Sequence, residues 1–272
     1  MKLAGVIGSP IGHSKSSMIF NSIFTRQRID AFYMSVDVKP GELEAFAKAS
    51  AETFAGYNVT APHKVSIIKY MDSIEPEAAE IGAVNLVRIV NGKSVGYNVD
   101  LAGFAAAVNN SQVDFHGKNI LIAGYGGIFR TVSYYIFRNF HPNSVDVMVR
   151  DPVKAGEKLM DYVFRDKVAL VSSREADRKS HDILINCTPL GTYPDISGMP
   201  FSDKLLNSAS VGIDVVYNPP VTGFLNRMAR KGATIVTGED LFIYQAIESM
   251  KILFGVTVMK DEILEILRGG AQ

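Results

Sequence analysis

Apolar and polar positions alternate in blocks along the first part of the chain. Short runs rich in branched and aromatic residues, typical of buried strands, are each followed by a segment with the apolar spacing of an amphipathic helix. The predicted strands are residues 3–7, 31–36 and 54–59, and the predicted helices are residues 16–26, 41–50 and about 62–71. This alternation predicts a largely parallel sheet with helices on both of its faces.

The pattern then changes to a hairpin and resumes in a second block. Residues 86–90 and 94–97 flank Asn91-Gly92, a pair that suits a tight turn between antiparallel strands. The second block begins near Gly117, and its strands are expected at residues 119–123, 145–149, 183–186 and 211–216, with a helix at 128–140. A helix at residues 100–108 is expected to join the blocks and to contain the first domain boundary, and two C-terminal helices are expected at 241–253 and 262–267.

Composition narrows the class of protein. The 272 residues fit one large or two ordinary domains, and 47% of them are hydrophobic. Basic and acidic residues number 28 each, so no net charge favours binding to nucleic acid or to an anionic membrane, and a small ligand is expected. The single cysteine, Cys187, excludes a disulfide within the chain and fits a cytoplasmic protein. The apolar N-terminal run is too short for a secretory signal, and no stretch approaches the ~20 apolar residues of a membrane span.

One glycine-rich turn predicts a dinucleotide site. The strand at 119–123 runs into Gly124-Tyr125-Gly126-Gly127, and a helix follows. Glycines in this context let backbone N–H groups approach a pyrophosphate at the helix N-terminus, although such turns also occur without a nucleotide. Phe129 stands where a small residue allows close helix–strand packing. We therefore expect this helix to stand off from the sheet or the loop to take a different path.

The next strand ends in two residues that point to different cofactors. Arg150 suits the 2′-phosphate of NADP, whereas Asp151 suits the free ribose hydroxyl of NAD and would repel that phosphate. Both residues also fit a plain surface turn before Pro152.

Four polar clusters lie at predicted strand ends or helix starts, where open sheets place their ligands. They are Gly8-Ser9-Pro10-Ile11-Gly12-His13-Ser14-Lys15-Ser16, Asn58-Val59-Thr60-Ala61-Pro62-His63-Lys64, Gly82-Ala83-Val84-Asn85 and Gly96-Tyr97-Asn98-Val99-Asp100-Leu101-Ala102-Gly103. Taken singly, each has a simple structural reading. Ser14, Ser16, Thr60 and Asp100 could be helix caps, and Asn85 could serve a turn.

Taken together, the four clusters resemble the shikimate dehydrogenase family. Its patterns are Pro-Ile-x-His-Ser-x-Ser, Asn-Val-Thr-x-Pro-x-Lys, Gly-Ala-Val-Asn and Gly-x-Asn-Thr-Asp, in this order. Three later segments are also similar to family patterns: Asn186-Cys187-Thr188-Pro189-Leu190-Gly191, Asp214-Val215-Val216-Tyr217-Asn218-Pro219 and Gly238-Glu239-Asp240-Leu241-Phe242-Ile243-Tyr244-Gln245-Ala246. The resemblance thus extends over essentially the whole chain.

The resemblance implies a two-domain α/β fold and an activity. A substrate domain is expected at residues 1–103 plus 240–272, and a Rossmann-type nucleotide domain at residues 104–239. The implied reaction is the reversible, NADP-linked reduction of 3-dehydroshikimate to shikimate, in chorismate and aromatic amino-acid biosynthesis, by a monomer or homodimer. The implied substrate residues are Ser14 and Ser16 for the carboxylate and Thr60, Asn85, Asp100 and Gln245 for the ring hydroxyls. The implied cofactor residues are Gly124, Gly126, Gly127, Arg150, Asp151, Thr188 and Gly238.

Lys64 and Asp100 would be the catalytic pair, and the chemistry supports this independently of the resemblance. Hydride transfer to a ring ketone creates an alkoxide that must gain a proton, and a nearby lysine can stabilise that charge and donate the proton. Asp100 would orient the lysine. Histidine is a common acid–base residue, but His13 and His63 each neighbour a better candidate. The sequence offers no metal-ligand cluster, so no metal is expected.

Several residues depart from the family patterns, mostly on the cofactor side. These are Ser17, Phe20, Leu86, Val99, Ile128, Phe129, Val149, Asp151 and Thr192. Asp151 leaves open an NAD-linked quinate or shikimate dehydrogenase. Phe129 leaves open a protein that senses a shikimate-type ligand without turnover, although a sensor has less need of Lys64 and Asp100.

Overall fold

The structure is a computed structural model that describes residues 1–12 and 14–269. The chain divides into two compact units, Met1–Asp100 with Ile243–Gln272 and Leu101–Phe242. We call them the first and the second unit. The divisions lie within two long helices, α4 (Asp100–Ser111) and α10 (Gly238–Phe254), the same helices that contain the expected boundaries 103/104 and 239/240.

The first unit contains a mixed sheet of six strands. The strands are β1 (Lys2–Gly8), β2 (Ala31–Asp37), β3 (Gly56–Val59), β4 (Ser73–Ile74), β5 (Leu86–Val90) and β6 (Lys93–Tyr97), in the order β2-β1-β3-β5-β6-β4. The helices of this unit are α1 (Ser16–Arg26), α2 (Leu43–Thr53), α3 (Pro76–Ile81) and α11 (Lys260–Gly269). β1 is parallel to β2 and β3, whereas β5 is antiparallel to both β3 and β6. The parallel pairing predicted for the first three strands is thus present, and the separately predicted hairpin adds β5 and β6 as antiparallel strands, with β4 parallel to β6.

The hairpin that reverses the sheet is confirmed. Asn91 and Gly92 both have positive φ, at 52° and 73°, between the paired residues Val90 and Lys93. Two successive positive φ values are what a twisted two-residue hairpin turn requires, and Asn-Gly tolerates them well.

The helix predicted at residues 62–71 is wrong. Only a short 3₁₀ helix forms there, at Ser66–Tyr70. The carbonyl of Lys64 accepts a hydrogen bond of 2.7 Å from the N–H of Val84, a residue twenty positions away. In the predicted helix this carbonyl would accept from the N–H of Ile68, but that N–H donates to the carbonyl of Val65 instead, in a tighter turn.

The second unit contains an entirely parallel six-stranded sheet. Its strands are β7 (Asn119–Ala123), β8 (Ser144–Met148), β9 (Ala169–Val171), β10 (Ile183–Asn186), β11 (Val211–Asp214) and β12 (Thr234–Val236), in the order β12-β11-β10-β7-β8-β9. The connecting helices are α5 (Gly127–Asn139), α6 (Pro152–Lys158), α7 (Ser173–Ala176), α8 (Asp203–Ser208) and α9 (Gly223–Arg230). This order reverses between β7 and β10, as in a Rossmann fold, and confirms the predicted class.

Within residues 1–12 and 14–269, no helix is long and apolar enough to cross a bilayer.

Candidate active site

Three of the predicted substrate residues meet at one edge of the first sheet. Asn58 of β3 pairs with Leu86 of β5, and Leu86 pairs with Tyr97 of β6. Because β5 runs antiparallel to both neighbours, the end of β3, the start of β5 and the end of β6 share this edge. Thr60 follows β3, Asn85 precedes β5 and Asp100 follows β6, and the sheet register therefore brings them to the same edge.

Lys64 and Asp100 form an ion pair at this edge. Nζ of Lys64 lies 2.5 Å from Oδ2 of Asp100, and the two side chains are only 14% and 5% exposed. The bond from Val84 N–H to the Lys64 carbonyl fixes the lysine backbone beside the segment that carries Asn85. Lys64 is thus fixed at its backbone by Val84 and at its ammonium group by Asp100. This gives the pair the defined geometry that proton transfer needs.

Asn85 is anchored between the strands by its side chain. Its Oδ1 accepts a hydrogen bond of 2.7 Å from the backbone N–H of Val99, and the residue is 3% exposed. The bond uses the backbone of Val99, so it does not depend on that side chain. Val99 instead packs with Leu86 and Leu253 in a small apolar cluster. Two departures from the family pattern, Leu86 and Val99, thus pack in one cluster and leave the anchor of Asn85 intact.

The two serines lie at the N-terminal end of α1. The Ser14 hydroxyl accepts a bond of 3.3 Å from the Ser16 backbone N–H, and Ser16 is buried. Ser9 N–H donates to the Ala61 carbonyl at 3.1 Å, so the loop after β1 runs beside the loop that follows Thr60. Ser14 therefore has a helix-end contact, and its hydroxyl hydrogen can still be donated to an anion.

Gln245 belongs to a buried hydrogen-bonded network on α10. Asn58 Nδ2 approaches Gln245 Oε1 at 3.5 Å and donates to Ser249 Oγ at 2.8 Å, while the Tyr33 hydroxyl donates to Asn58 Oδ1 at 2.8 Å. Ser249 and Tyr33 were not among the residues predicted from the sequence. Ser249 lies four positions after Gln245 on one helix, a spacing that puts both side chains on the same face and could have indicated it.

His63 has a structural role. Its Nε2 lies 2.6 Å from the Val38 carbonyl, and the residue is 1% exposed. His13, the other histidine considered as an acid or base, lies outside the described residues.

The glycine-rich turn has the shape that a pyrophosphate needs. Gly124 has φ of 91°, and a Cβ there would lie 2.9 Å from the Thr188 methyl carbon. A Cβ at Gly126 would meet nothing within 4 Å, so this side of the loop is open. Gly126 is the N-cap of α5 and provides no side-chain cap, which leaves the first backbone N–H groups of the helix for a phosphate. These residues fit a dinucleotide.

Phe129 does not obstruct this loop. Its side chain is fully buried in the hydrophobic core of the second unit, and its ring centroid lies 5.5 Å from that of Tyr162. As the third residue of α5, it faces the core rather than the open side of the turn. The ring of Phe129 is thus accommodated in the core beside Tyr162 and does not fill the open side of the turn.

The side chains of Arg150 and Asp151 differ in whether they already have partners within the protein. Asp151 is the N-cap of α6, and its Oδ1 accepts from the backbone N–H of Lys154 at 3.1 Å. Arg150 is exposed, and within the part of the chain that the structure describes it has neither a hydrogen-bond nor an ion-pair partner. The aspartate thus stabilises a helix end, whereas the guanidinium is available to an anion.

Thr188 bonds within its own turn, and Gly238 packs closely against neighbouring backbone. The Thr188 hydroxyl donates to Asn186 Oδ1 at 2.6 Å and accepts from the Leu190 N–H at 3.2 Å, so it is used within its own turn. A Cβ at Gly238 would lie about 2.5 Å from carbonyl oxygens of Val215 and Val216, and only glycine fits there. Either residue could meet a cofactor through its backbone.

No group of three or more His, Cys, Asp or Glu residues with metal-site geometry occurs among the described residues.

Comparison with known proteins identifies the family. A sequence profile described as "Shikimate dehydrogenase substrate binding domain" matches residues 6–87. The chain is 40% identical to "Shikimate dehydrogenase (NADP(+))" of Thermoplasma acidophilum over 268 residues, 97% of this chain and 96% of that protein. The crystal structure of shikimate dehydrogenase 1 from Peptoclostridium difficile matches with a TM-score of 0.88 at 27% identity, covering 100% of both chains. Shikimate 5-dehydrogenase from Thermus thermophilus, in complex with NADP(H) and shikimate, matches with a TM-score of 0.83 at 26% identity, covering 99% of each chain. The family resemblance carried by the sequence motifs is thus confirmed, and the chain belongs to the shikimate dehydrogenase family.

Proposed function

We propose that this chain is an NADP(H)-dependent shikimate dehydrogenase. It reversibly reduces 3-dehydroshikimate to shikimate, a step of chorismate and aromatic amino-acid biosynthesis. The observation that carries the proposal is the partly buried Lys64–Asp100 pair, at 2.5 Å, on the sheet edge that also holds Thr60 and Asn85. A ring ketone that becomes an alcohol needs one proton donor near its oxygen, and this pair offers one.

The roles of the first unit follow from its polar groups. Ser14 and Ser16, with the N-terminal end of α1, bind the substrate carboxylate. Thr60, Asn85, Asp100 and Gln245 hold the ring hydroxyls. Asn85 uses its Oδ1 on Val99, so its amide N–H groups face the ligand as donors.

Proton transfer is assigned to Lys64. Its ammonium group stabilises the negative charge that develops on the former carbonyl oxygen, then gives that oxygen a proton. The neutral amine remains hydrogen-bonded to Asp100, which orients it, and recovers a proton from water. In the direction of shikimate oxidation, Lys64 acts as the base.

The second unit binds the dinucleotide, which when bound supplies or accepts the hydride. Gly124, Gly126 and Gly127 hold the pyrophosphate at the start of α5, and Thr188 and Gly238 complete the site through their backbones. Arg150 binds the 2′-phosphate, which favours NADP. We assign the substrate role to the first unit and the dinucleotide role to the second.

The two alternatives are weaker on structural grounds. An NAD-linked quinate or shikimate dehydrogenase rests on Asp151, but that carboxylate already caps α6. A sensor without turnover rests on Phe129, whose side chain is in the core. We also propose a cytoplasmic location, since a single cysteine fits a reducing compartment, and a monomer or homodimer.

The test is product identification. Purified protein with shikimate and NADP should form reduced nicotinamide and 3-dehydroshikimate in equal amounts, and 3-dehydroshikimate with NADPH should run in reverse. Lys64→Ala serves as the control for contaminating dehydrogenase activity. Formation of reduced nicotinamide without 3-dehydroshikimate would refute the proposed reaction.

A further inference from the structure

A buried carboxylate near the turn at residues 188–191 has no part in the chemistry proposed above. Asp214 ends β11 and is 1% exposed. Its Oδ1 accepts from Asn186 Nδ2 at 3.0 Å and from the Val216 N–H at 3.0 Å, and its Oδ2 accepts from the Thr222 hydroxyl at 2.7 Å. Burying a carboxylate is costly, and three donors aimed at one group indicate a geometric role.

Asn186 links this carboxylate to the loop. While its Nδ2 donates to Asp214, its Oδ1 accepts from both the backbone N–H and the hydroxyl of Thr188, at 3.0 and 2.6 Å. Asn186 Nδ2 also donates to the Leu190 carbonyl at 3.1 Å, and the Leu190 N–H donates back to Thr188. The amide of Asn186 cannot rotate without breaking bonds on both sides, so Asp214 sets its orientation.

The loop that this network holds faces the glycine-rich turn. The Thr188 methyl carbon lies 2.9 Å from the position of a Cβ at Gly124, so the two loops are in direct contact. A shift of Thr188 would change the space above Gly124, where the dinucleotide chain must pass.

We propose that Asp214 is a positioning residue for the dinucleotide: acting through Asn186, it fixes the turn at residues 188–191 against Gly124. The proposal rests on the dinucleotide role of the second unit. It concerns hydrogen-bond geometry rather than charge. Burial raises the pKa of the Asp214 carboxyl to about 6 despite its three donors. The site therefore disfavours the ionised carboxylate relative to an aspartate in water.

Variants separate geometry from charge. Asp214→Asn keeps an acceptor for Asn186 and Val216 and can donate to the Thr222 oxygen, so it preserves the network. Asp214→Ala and Asn186→Ala each break it from one side. Asp146→Ala is the matched control, because Asp146 is a buried aspartate of the same sheet whose partners, Lys179 and His181, do not contact the loop.

Two readouts apply. In dinucleotide-free protein, hydrogen exchange at Thr188 and Leu190 should accelerate by about tenfold or more in Asp214→Ala and Asn186→Ala, and stay near wild type in Asp214→Asn and Asp146→Ala. The NADP dissociation constant should rise by about tenfold in the same two variants, with the shikimate dissociation constant unchanged.

Unchanged exchange and NADP binding in both alanine variants would overturn the proposal, as would an equal change in Asp146→Ala. If Asp214→Ala does not fold, Asn186→Ala alone decides. Wild-type turnover is measured in parallel: its absence refutes the proposed function, whereas normal turnover with unaffected alanine variants refutes only the role of Asp214.

Discussion

Residues that depart from the family patterns make different kinds of contact in the two units of this chain. In the first unit, two of the four departures from family patterns, Leu86 and Val99, pack together, and Asn85 keeps its bond to the Val99 backbone. In the second unit the departures at Phe129 and Asp151 take up structural tasks, one in the core and one at a helix cap. The anchor of Asn85 thus uses a backbone N–H and does not depend on the side chain of Val99, whereas Phe129 and Asp151 contribute their own side chains to the core and to a helix cap.

The largest expected effect is on the folding of the second unit. Phe129→Ala should lower the free energy of unfolding by about 3–5 kcal/mol, because it leaves a cavity beside Tyr162. Chemical denaturation gives this value, with the more conservative Phe129→Leu as a variant that folds if the alanine does not. NADP affinity of Phe129→Leu should be unchanged. A large loss of affinity at unchanged stability would place the ring at the cofactor site instead.

The next effect concerns the catalytic pair of the first unit. Lys64→Ala should reduce turnover roughly 100-fold or more, the scale for loss of a general acid, while shikimate binding falls less. Lys69→Ala, an exposed lysine a few residues later, is the control and should retain normal turnover. If Lys64→Ala keeps turnover within a few-fold of wild type, Lys64 has only a structural role.

Cofactor choice tests whether Arg150 and Asp151 differ as their contacts indicate. Arg150→Ala should lower efficiency with NADP by roughly tenfold or more and leave NAD largely unaffected, since a charge-assisted contact contributes about 1.5–3 kcal/mol. The exposed Arg165→Ala is the control. Asp151→Ser keeps a helix cap and removes the charge, and we expect it to improve NADP use modestly.

The smallest effect is expected at the N-terminal end of α1. Ser14→Ala with Ser16→Ala should raise the Michaelis constant for shikimate more than it lowers turnover, because carboxylate contacts are largely uniform binding. Ser17→Ala, whose hydroxyl contacts Ser35, is the neighbouring control. Altered thermal stability with unchanged kinetics would assign both serines to helix capping alone.

Local patterns predicted most of the strands, the Asn91-Gly92 hairpin, the Rossmann-type sheet and the family. They failed where contacts between residues far apart in the chain determine the local structure. In place of the helix expected at 62–71, the Lys64 carbonyl bonds to Val84, and the link from Asn58 to Ser249 joins residues far apart in the chain. The burial of Phe129 against Tyr162 is likewise a contact between residues far apart in the chain, which local patterns do not show. The roles of the individual site residues stay predictions.

The most direct test of the proposed activity is the catalytic efficiency of the wild-type protein with shikimate and quinate, each paired with NADP and NAD. We predict the highest efficiency for shikimate with NADP. Efficiency should fall clearly when quinate replaces shikimate or NAD replaces NADP. Higher efficiency with NAD would contradict the assignment of Arg150, and higher efficiency with quinate would contradict the proposed substrate; either result would favour the NAD-linked quinate or shikimate dehydrogenase.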